Sequence, residues 1–176
     1  MTFRGDPLAD IEPLIRRVYA YVAYRIGSGP DADDVTSDVF ERAFRYRKTY
    51  DPRRGDPAAW LIGIARRCIQ DSLAGRTPLE AEPTEQPDPD DLEEAAVRRL
   101  MLAPAVAKMR VSERELIALR FGADLTAQQI GELLEMRTNA VEVALHRALA
   151  RLRELLGANP DTDATTVFPT VDEEFR

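Results

Sequence analysis

Arg137, Thr138, Asn139, His146 and Arg147 sit close together near the C-terminal end of the sequence, and their types suit contact with nucleic acid. Asn pairs bidentately with adenine, and Arg pairs with guanine or holds phosphate. A second group is acidic. Asp33, Asp34, Asp38 and Glu41 are spaced so that the last three lie on one side of a helix. Such a face steers docking onto a basic partner, or is simply a solvated helix face. A third group mixes cations with an aromatic ring: Tyr50, Arg53, Arg54, Arg66 and Arg67. Cationic side chains beside a ring suit a single nucleic-acid strand. His146 is the sole histidine and Cys68 the sole cysteine, so neither has the partners that metal binding or catalysis would need. An intrachain disulfide is excluded, Cys68 reads as a small half-buried helix residue, and a reducing cytoplasm is the expected compartment.

The elements that must position the first group read as a helix-turn-helix over Leu125–Arg153. Its first helix opens at Thr126, with Gln129 three residues on, a capping-box spacing. Ile130, Leu133 and Leu134 share its apolar face, and Glu135-Met136-Arg137 makes a short turn. Thr138 is placed to cap the second helix, where Val141, Leu145, Leu149, Leu152, Leu155 and Leu156 recur at helical spacing. A helical hairpin without a DNA role shows the same periodicity. The three-residue turn and the polar start of the second helix favour the DNA reading, because that end of a recognition helix meets base edges and phosphates.

The chain of 176 residues has room for one ordinary domain or two small ones. No apolar run approaches the roughly 20 residues of a membrane span, and the N-terminus lacks the apolar core of a signal peptide. The net charge of −7 is unusual for a DNA-binding protein, but it is unevenly spread. Residues 1–76 carry 13 basic and 11 acidic side chains, and residues 100–156 carry 8 and 7. The surplus acid lies in residues 77–99, with 2 basic and 8 acidic, and in residues 157–176, with 1 and 5. Near-neutral folded parts predict weak DNA affinity for the free chain, since phosphate neutralisation supplies most non-specific binding.

Apolar spacing predicts an all-α chain: two small helical domains joined by an acidic, Pro-rich linker, the second holding the helix-turn-helix. The first helix is expected from Pro7 to Ile26, with Ile11, Leu14, Ile15, Val18 and Val22 on one side. The second runs from Asp31 to Lys48, turning Val35, Val39, Phe40, Ala43 and Phe44 inward. A loop over Tyr50–Asp56 precedes a third helix, which Pro57 opens and Asp56 caps. Trp60 on that helix reads as core. Prolines alternating with acids mark residues 77–91 as a self-repelling linker. A second unit runs over 92–156, with Pro104 set to kink or split its first helix. Ser112 and Glu115 are spaced as a further capping box. Residues 157–176 read as a disordered acidic tail, where Thr162, Thr165, Thr166 and Thr170 are candidate regulatory positions.

Three phrases in this order resemble the extracytoplasmic-function (ECF) group of bacterial RNA polymerase sigma factors over about residues 8–156. Asp31–Arg45 is similar to the polymerase-binding helix of that family, Tyr50–Arg66 to its −10 reading loop and helix, and Ser112–Arg120 with Leu145–Arg153 to its −35 reading domain. The resemblance implies a non-enzymatic initiation factor that binds core polymerase, directs it to promoters and assists opening. It implies no catalytic residue, no metal and no cofactor. Asp33, Asp34, Asp38 and Glu41 would meet a coiled coil of the largest polymerase subunit. Tyr50, Arg53, Arg54, Arg66, Arg67 and Gln70 would meet −10 DNA, and Arg137, Thr138, Asn139, Ala140, Glu142, His146 and Arg147 would meet −35 DNA. An anti-sigma factor is a candidate further partner, and no membrane insertion is implied. The linker acids Glu80, Glu82, Glu85, Asp88, Asp90 and Asp91 would imitate nucleic acid in the RNA-exit path of the polymerase.

The sequence departs from the family pattern in places. Glu135 stands where the turn often has Gly, Arg110 where Pro is common, and Glu142 and Ala144 where basic residues are common. Residues 71–76 are also less basic than the usual end of the −10 helix. Two other readings stay open: a helix-turn-helix regulator that works without polymerase, and a helical interaction module that has lost DNA binding.

Overall fold

The computed structural model describes residues 6–74 and 102–157, and contains no strand among them. The expected linker at 77–91, the start of the second unit at 92 and the tail beyond 157 lie outside the described residues.

Helix α1 (Ile11–Ile26) starts four residues later than Pro7. It buries Leu14, Val18, Tyr21 and Val22, whereas Ile11 and Ile15 are 43% and 41% exposed, contrary to expectation. Neighbouring helices cover the face centred on Val18 and Tyr21, and Tyr21 takes an inward place that its polar tip had obscured. Helix α2 (Pro30–Tyr46) opens on Pro30, whose missing N–H is tolerated in a first turn, and ends in a 3-10 turn at Arg47–Thr49. Val35, Val39 and Ala43 are buried and Phe40 half-buried. Phe44, expected inward, is 61% exposed because Ala43 fills the inward place beside it. The Arg47 guanidinium lies 4.4 Å from the centre of the Phe44 ring, a cation–π contact.

Helix α3 (Pro57–Ala74) is capped as expected: Ala59 N donates to Asp56 Oδ1 at 2.9 Å. It buries Leu61, Ile62, Ala65, Cys68 and Ile69. Full burial of each large aliphatic side chain contributes about 1.5–3 kcal/mol. Cys68 is more deeply buried than expected, at 3% exposure, and burial pushes its thiol above the ordinary value.

Residues 102–107 form the described part of α4, and Pro104 is helical within it. Helix α5 (Val111–Ile117) begins one residue before Ser112, so the expected Ser112–Glu115 capping box does not form. Arg110 N donates instead to Glu113 Oε2 at 3.0 Å, and Glu115 points inward. A π-helical turn (Ala118–Gly122) leads to α6 (Ala127–Leu134) and then α7 (Thr138–Gly157).

The two helical units share a core. One apolar cluster joins Val18, Tyr21, Val39, Leu61 and Ile62 to Leu116, Leu119, Leu125, Ile130 and Leu145. A second gathers Leu102, Val106 and Met109 with Ile117, Leu149, Leu152 and Leu156. At Gly122 a Cβ would stand 2.9 Å from the backbone N and Cα of Tyr21, so only glycine lets the π turn lie directly on α1.

Candidate nucleic-acid interface

The helix-turn-helix is built by two reciprocal caps and one glycine. Thr126 Oγ1 accepts from Gln129 N at 3.2 Å, and Thr126 N donates to Gln129 Oε1 at 2.8 Å. Both bonds satisfy amides that a helix start would leave free. At the other end Glu135 is left-handed, with φ 56 and ψ 40, and Met136 N donates to Gly131 O at 2.8 Å. A Cβ at Gly131 would lie 2.7 Å from Met136 O, so a side chain there would force the turn open. Arg137 O accepts from Ala140 N and Val141 N at 2.9 and 3.1 Å and thus closes the first turn of α7. Thr138 is inside that turn, one residue past the capping position expected for it.

The result is a sharply divided α7. Val141, Leu145, Ala148, Leu149 and Leu152 are buried. Arg137, Thr138, Asn139, Ala140, His146 and Arg147 are exposed, and Glu142 is half-exposed beside them. His146 is therefore a surface residue and takes no part in packing. Gln128, Glu132, Glu135 and Met136 border a shallow depression with Arg137 and Thr138.

The acidic group lies on the outer side of α2. Asp33, Asp34, Asp38 and Glu41 are all exposed, while Val35 and Val39 hold the opposite side in the core. Glu41 pairs with Arg45 at 2.7 Å across one helical turn. Exposed helix pairs of this kind add only a few tenths of a kcal/mol, so a partner can displace Arg45 at little cost.

The loop before α3 is stiffened by Tyr50. Its hydroxyl donates to Gly55 O at 2.9 Å, and its ring centre lies 5.5 Å from that of Trp60. Trp60 packs half-buried on the core. Arg53 and Arg54 are exposed at the tip of the loop, and Arg67 and Gln70 are exposed on α3. Arg67 faces a cleft lined by Arg42, Arg45, Tyr46 and Ile64. Asp71, near the end of α3, is engaged by Arg42 at 2.8 Å.

Arg66 is placed differently from the other cations. Its Nε donates to Glu115 Oε1 at 3.1 Å and its guanidinium to Leu133 O at 3.2 Å. In this arrangement it faces the other helical unit. Sequence reasoning missed this junction. Tyr21 Oη also donates to Glu115 Oε1, at 2.8 Å, and Arg25 pairs with Glu115 Oε2. Arg17 donates to Ala123 O and Asp124 O at 2.7 and 3.0 Å, and Gln129 Nε2 donates to Asp56 Oδ2. The available signal for Glu115 was its place directly before the apolar pair Leu116 and Ile117.

Among the described residues no cluster of His, Cys, Asp and Glu could hold a metal ion, and no helix is long and apolar enough to cross a membrane.

Two family models match the chain: Sigma-70 region 2 over residues 11–78 and Sigma-70 region 4 over residues 105–154. The chain is 34% identical over 170 residues to the ECF RNA polymerase sigma factor ShbA of Streptomyces griseus, covering 85% of each chain. It is 29% identical over 147 residues to the ECF RNA polymerase sigma factor BldN of Streptomyces coelicolor, covering 79% of this chain and 56% of that one. Its fold is similar to that of CnrH, solved in complex with the cytosolic domain of CnrY, with a TM-score of 0.62 at 24% identity and 88% coverage of both. With both sigma regions in order and a relative at 34% identity matched over 85% of each chain, the chain belongs to the ECF RNA polymerase sigma factors, the initiation factors that bring core polymerase to promoters.

Proposed function

We propose that this sigma factor divides its work among the three exposed groups described above. The acidic face of α2, with Asp33, Asp34, Asp38 and Glu41, docks on a basic coiled coil of the largest polymerase subunit. Its exposure and single sign suit a contact in which charge steers encounter and fixes register. The stiffened loop with Tyr50, Arg53 and Arg54, together with Arg67 and Gln70, holds the −10 strand. Cations around a rigid aromatic platform suit an unpaired strand. Arg66 joins this set once it leaves Glu115. The start of α7, from Arg137 to Ala140 with Glu142, His146 and Arg147, reads the −35 element.

The observation that carries this reading is the divided α7: its first turn presents Arg137, Thr138 and Asn139 outward while Val141 is fully buried behind them. A recognition helix needs that polarity, with its N-terminal residues free for base edges. In this reading residues 1–76 and 92–156 are the two functional domains, residues 77–91 the linker and residues 157–176 the tail. The protein works in the cytoplasm, carries no catalysis of its own, and is a target for an anti-sigma factor.

Run-off transcription with purified core polymerase on a panel of genomic fragments tests this. A promoter-specific transcript is expected, and it should be lost when Asp34 and Asp38 become Asn. A complete lack of transcript from the panel would overturn the reading. Tight binding to isolated duplex without polymerase would favour the polymerase-independent regulator.

A further inference from the structure

One side chain on the outer side of α7 is out of keeping with its neighbours. Among the described residues of α7, Val143 is the one large apolar side chain that is exposed, at 48%. The positions around it are polar or small: Asn139, Ala140, His146 and Arg147 are exposed, and Glu142 is half-exposed.

The place of Val143 on the helix follows from what the opposite side buries. Val141, Leu145, Ala148 and Leu152 are held in the two apolar clusters. At about 100° per residue, Val143 points almost directly away from the middle of that buried stripe. Asn139 lies one turn before it and His146 three residues after, so these three form the crown of the helix. When the second helix of a helix-turn-helix lies in the major groove, the crown opposite its core-packed side is the part that reaches the base edges. This step rests on the reading of α7 as the −35 reader.

The chemistry of the crown narrows what it can recognise. It holds no Lys, Arg, Asp or Glu, and Glu142 and Arg147 stand on its two flanks. A carboxylate repels phosphate, so of the two flanks only that of Arg147 suits the DNA backbone. Phosphate contacts position a helix, whereas base contacts carry the specificity. Asn139 has the hydrogen-bonding groups for adenine, but Val143 has none. The distinctive apolar group that a base pair offers in the major groove is the C5-methyl of thymine. Val is also stiff: in a helix its β-branch leaves one strongly preferred rotamer, so its methyl groups present a fixed surface.

We propose that Val143 is a specificity-determining residue, which selects a thymine in the −35 element by packing its methyl groups against the thymine C5-methyl. Val143 stands four residues on from Asn139, about 6 Å of helix rise, or about two base-pair steps of about 3.4 Å. The selected thymine therefore lies within about three base pairs of the adenine that Asn139 reads, once side-chain reach is added.

The test uses holoenzyme assembled from core polymerase and the full chain, on a promoter found by run-off transcription. Each thymine of the −35 element, on either strand, is replaced in turn by deoxyuridine, which pairs in the same way and lacks only the methyl. Competition binding should weaken about fourfold at one thymine, the worth of about one buried CH₂ group. At that position 5-methylcytosine should be bound about fourfold better than cytosine, for the same reason. Val143→Ser removes both methyl groups at an exposed site and should make the holoenzyme indifferent to the thymine methyl. Val143→Ile should keep the discrimination, and so should Asn139→Ala. Three results would overturn the assignment and leave the −35 role of α7 intact: an element with no thymine on either strand, a parent indifferent to the methyl at every thymine, or discrimination that survives in Val143→Ser. Binding that no base change in the −35 element affects would overturn the reading of α7 itself, and Val143 with it.

Discussion

The Tyr21 hydroxyl donates a 2.8 Å hydrogen bond to Glu115 across 94 positions of sequence, joining the first helix of one sigma region to the first complete helix described in the other. Hydrogen bonds to charged groups contribute about 1.5–3 kcal/mol. Tyr21→Phe keeps the ring in the core and deletes only this bond. Urea unfolding should show a loss of about 1–2 kcal/mol, and an unchanged midpoint would mean that the bond adds nothing.

The same pair predicts a pH response. Burial, and then the negative Glu115, push the Tyr21 phenol well above its ordinary value of 10.0, against the lowering effect of Arg25 and Arg66. The folded state thus keeps a proton that the unfolded state releases. Stability from this group is present below about pH 10 and declines as pH rises beyond it. Urea midpoints from about pH 8 to about pH 11 should fall more steeply for the parent than for Tyr21→Phe. Parallel curves would refute this.

The helix-turn-helix turn should respond oppositely to two substitutions. Glu135 is left-handed at φ 56, a conformation costing a non-Gly residue about 1–2 kcal/mol. Glu135→Gly should therefore raise the thermal midpoint, with about 1 kcal/mol gained. Gly131→Ala places a methyl against Met136 O and should lower it by about 1–3 kcal/mol. Changes of the same sign in both variants would contradict the observed turn.

Thr36 is 7% exposed, and its hydroxyl finds no hydrogen-bond partner among the described residues. A buried hydroxyl without a partner costs about 1–3 kcal/mol. Thr36→Val keeps the shape and the helix, so chemical denaturation should show a gain of about 1 kcal/mol. A measured loss would mean that the hydroxyl is satisfied in solution.

On promoter DNA, Asn139 and Arg147 should behave differently. Asn139→Ala should relax base preference at one position of the −35 element, worth about 1–3 kcal/mol of discrimination. Arg147→Gln should weaken holoenzyme binding to all sequences alike and reduce its salt dependence by about one counterion. Competition binding at several salt concentrations separates the two, and identical sequence preferences in both variants would remove Asn139 as a reader.

Much of this molecule was legible from residue order. The Thr126–Gln129 cap, the short turn and the buried Val141–Leu145–Leu149–Leu152 stripe follow from local chemistry within one or two turns of chain. The cap of α3 by Asp56 was equally local. Errors arose where two residues compete for one face. Phe44 lost its inward place to Ala43, and Ile11 and Ile15 stayed exposed, because periodicity gives a stripe but not which edge of it meets a neighbour. The Ser112–Glu115 spacing misled for a related reason: it fits a cap, yet Glu115 gains more from three partners on distant helices.

Residue order by itself determined an all-α sigma factor with an acidic face, a cationic loop and a helix-turn-helix, since these depend on spacing of a few residues. Only the tertiary structure decided that the two regions share a core and that Glu115 joins them. The contacts of Arg66, Arg25 and Tyr21 with Glu115 span 49 to 94 positions, and nothing in local spacing selects a partner at such distance. Their pairing depends on which faces the helices bury, and that is set by the whole packing at once.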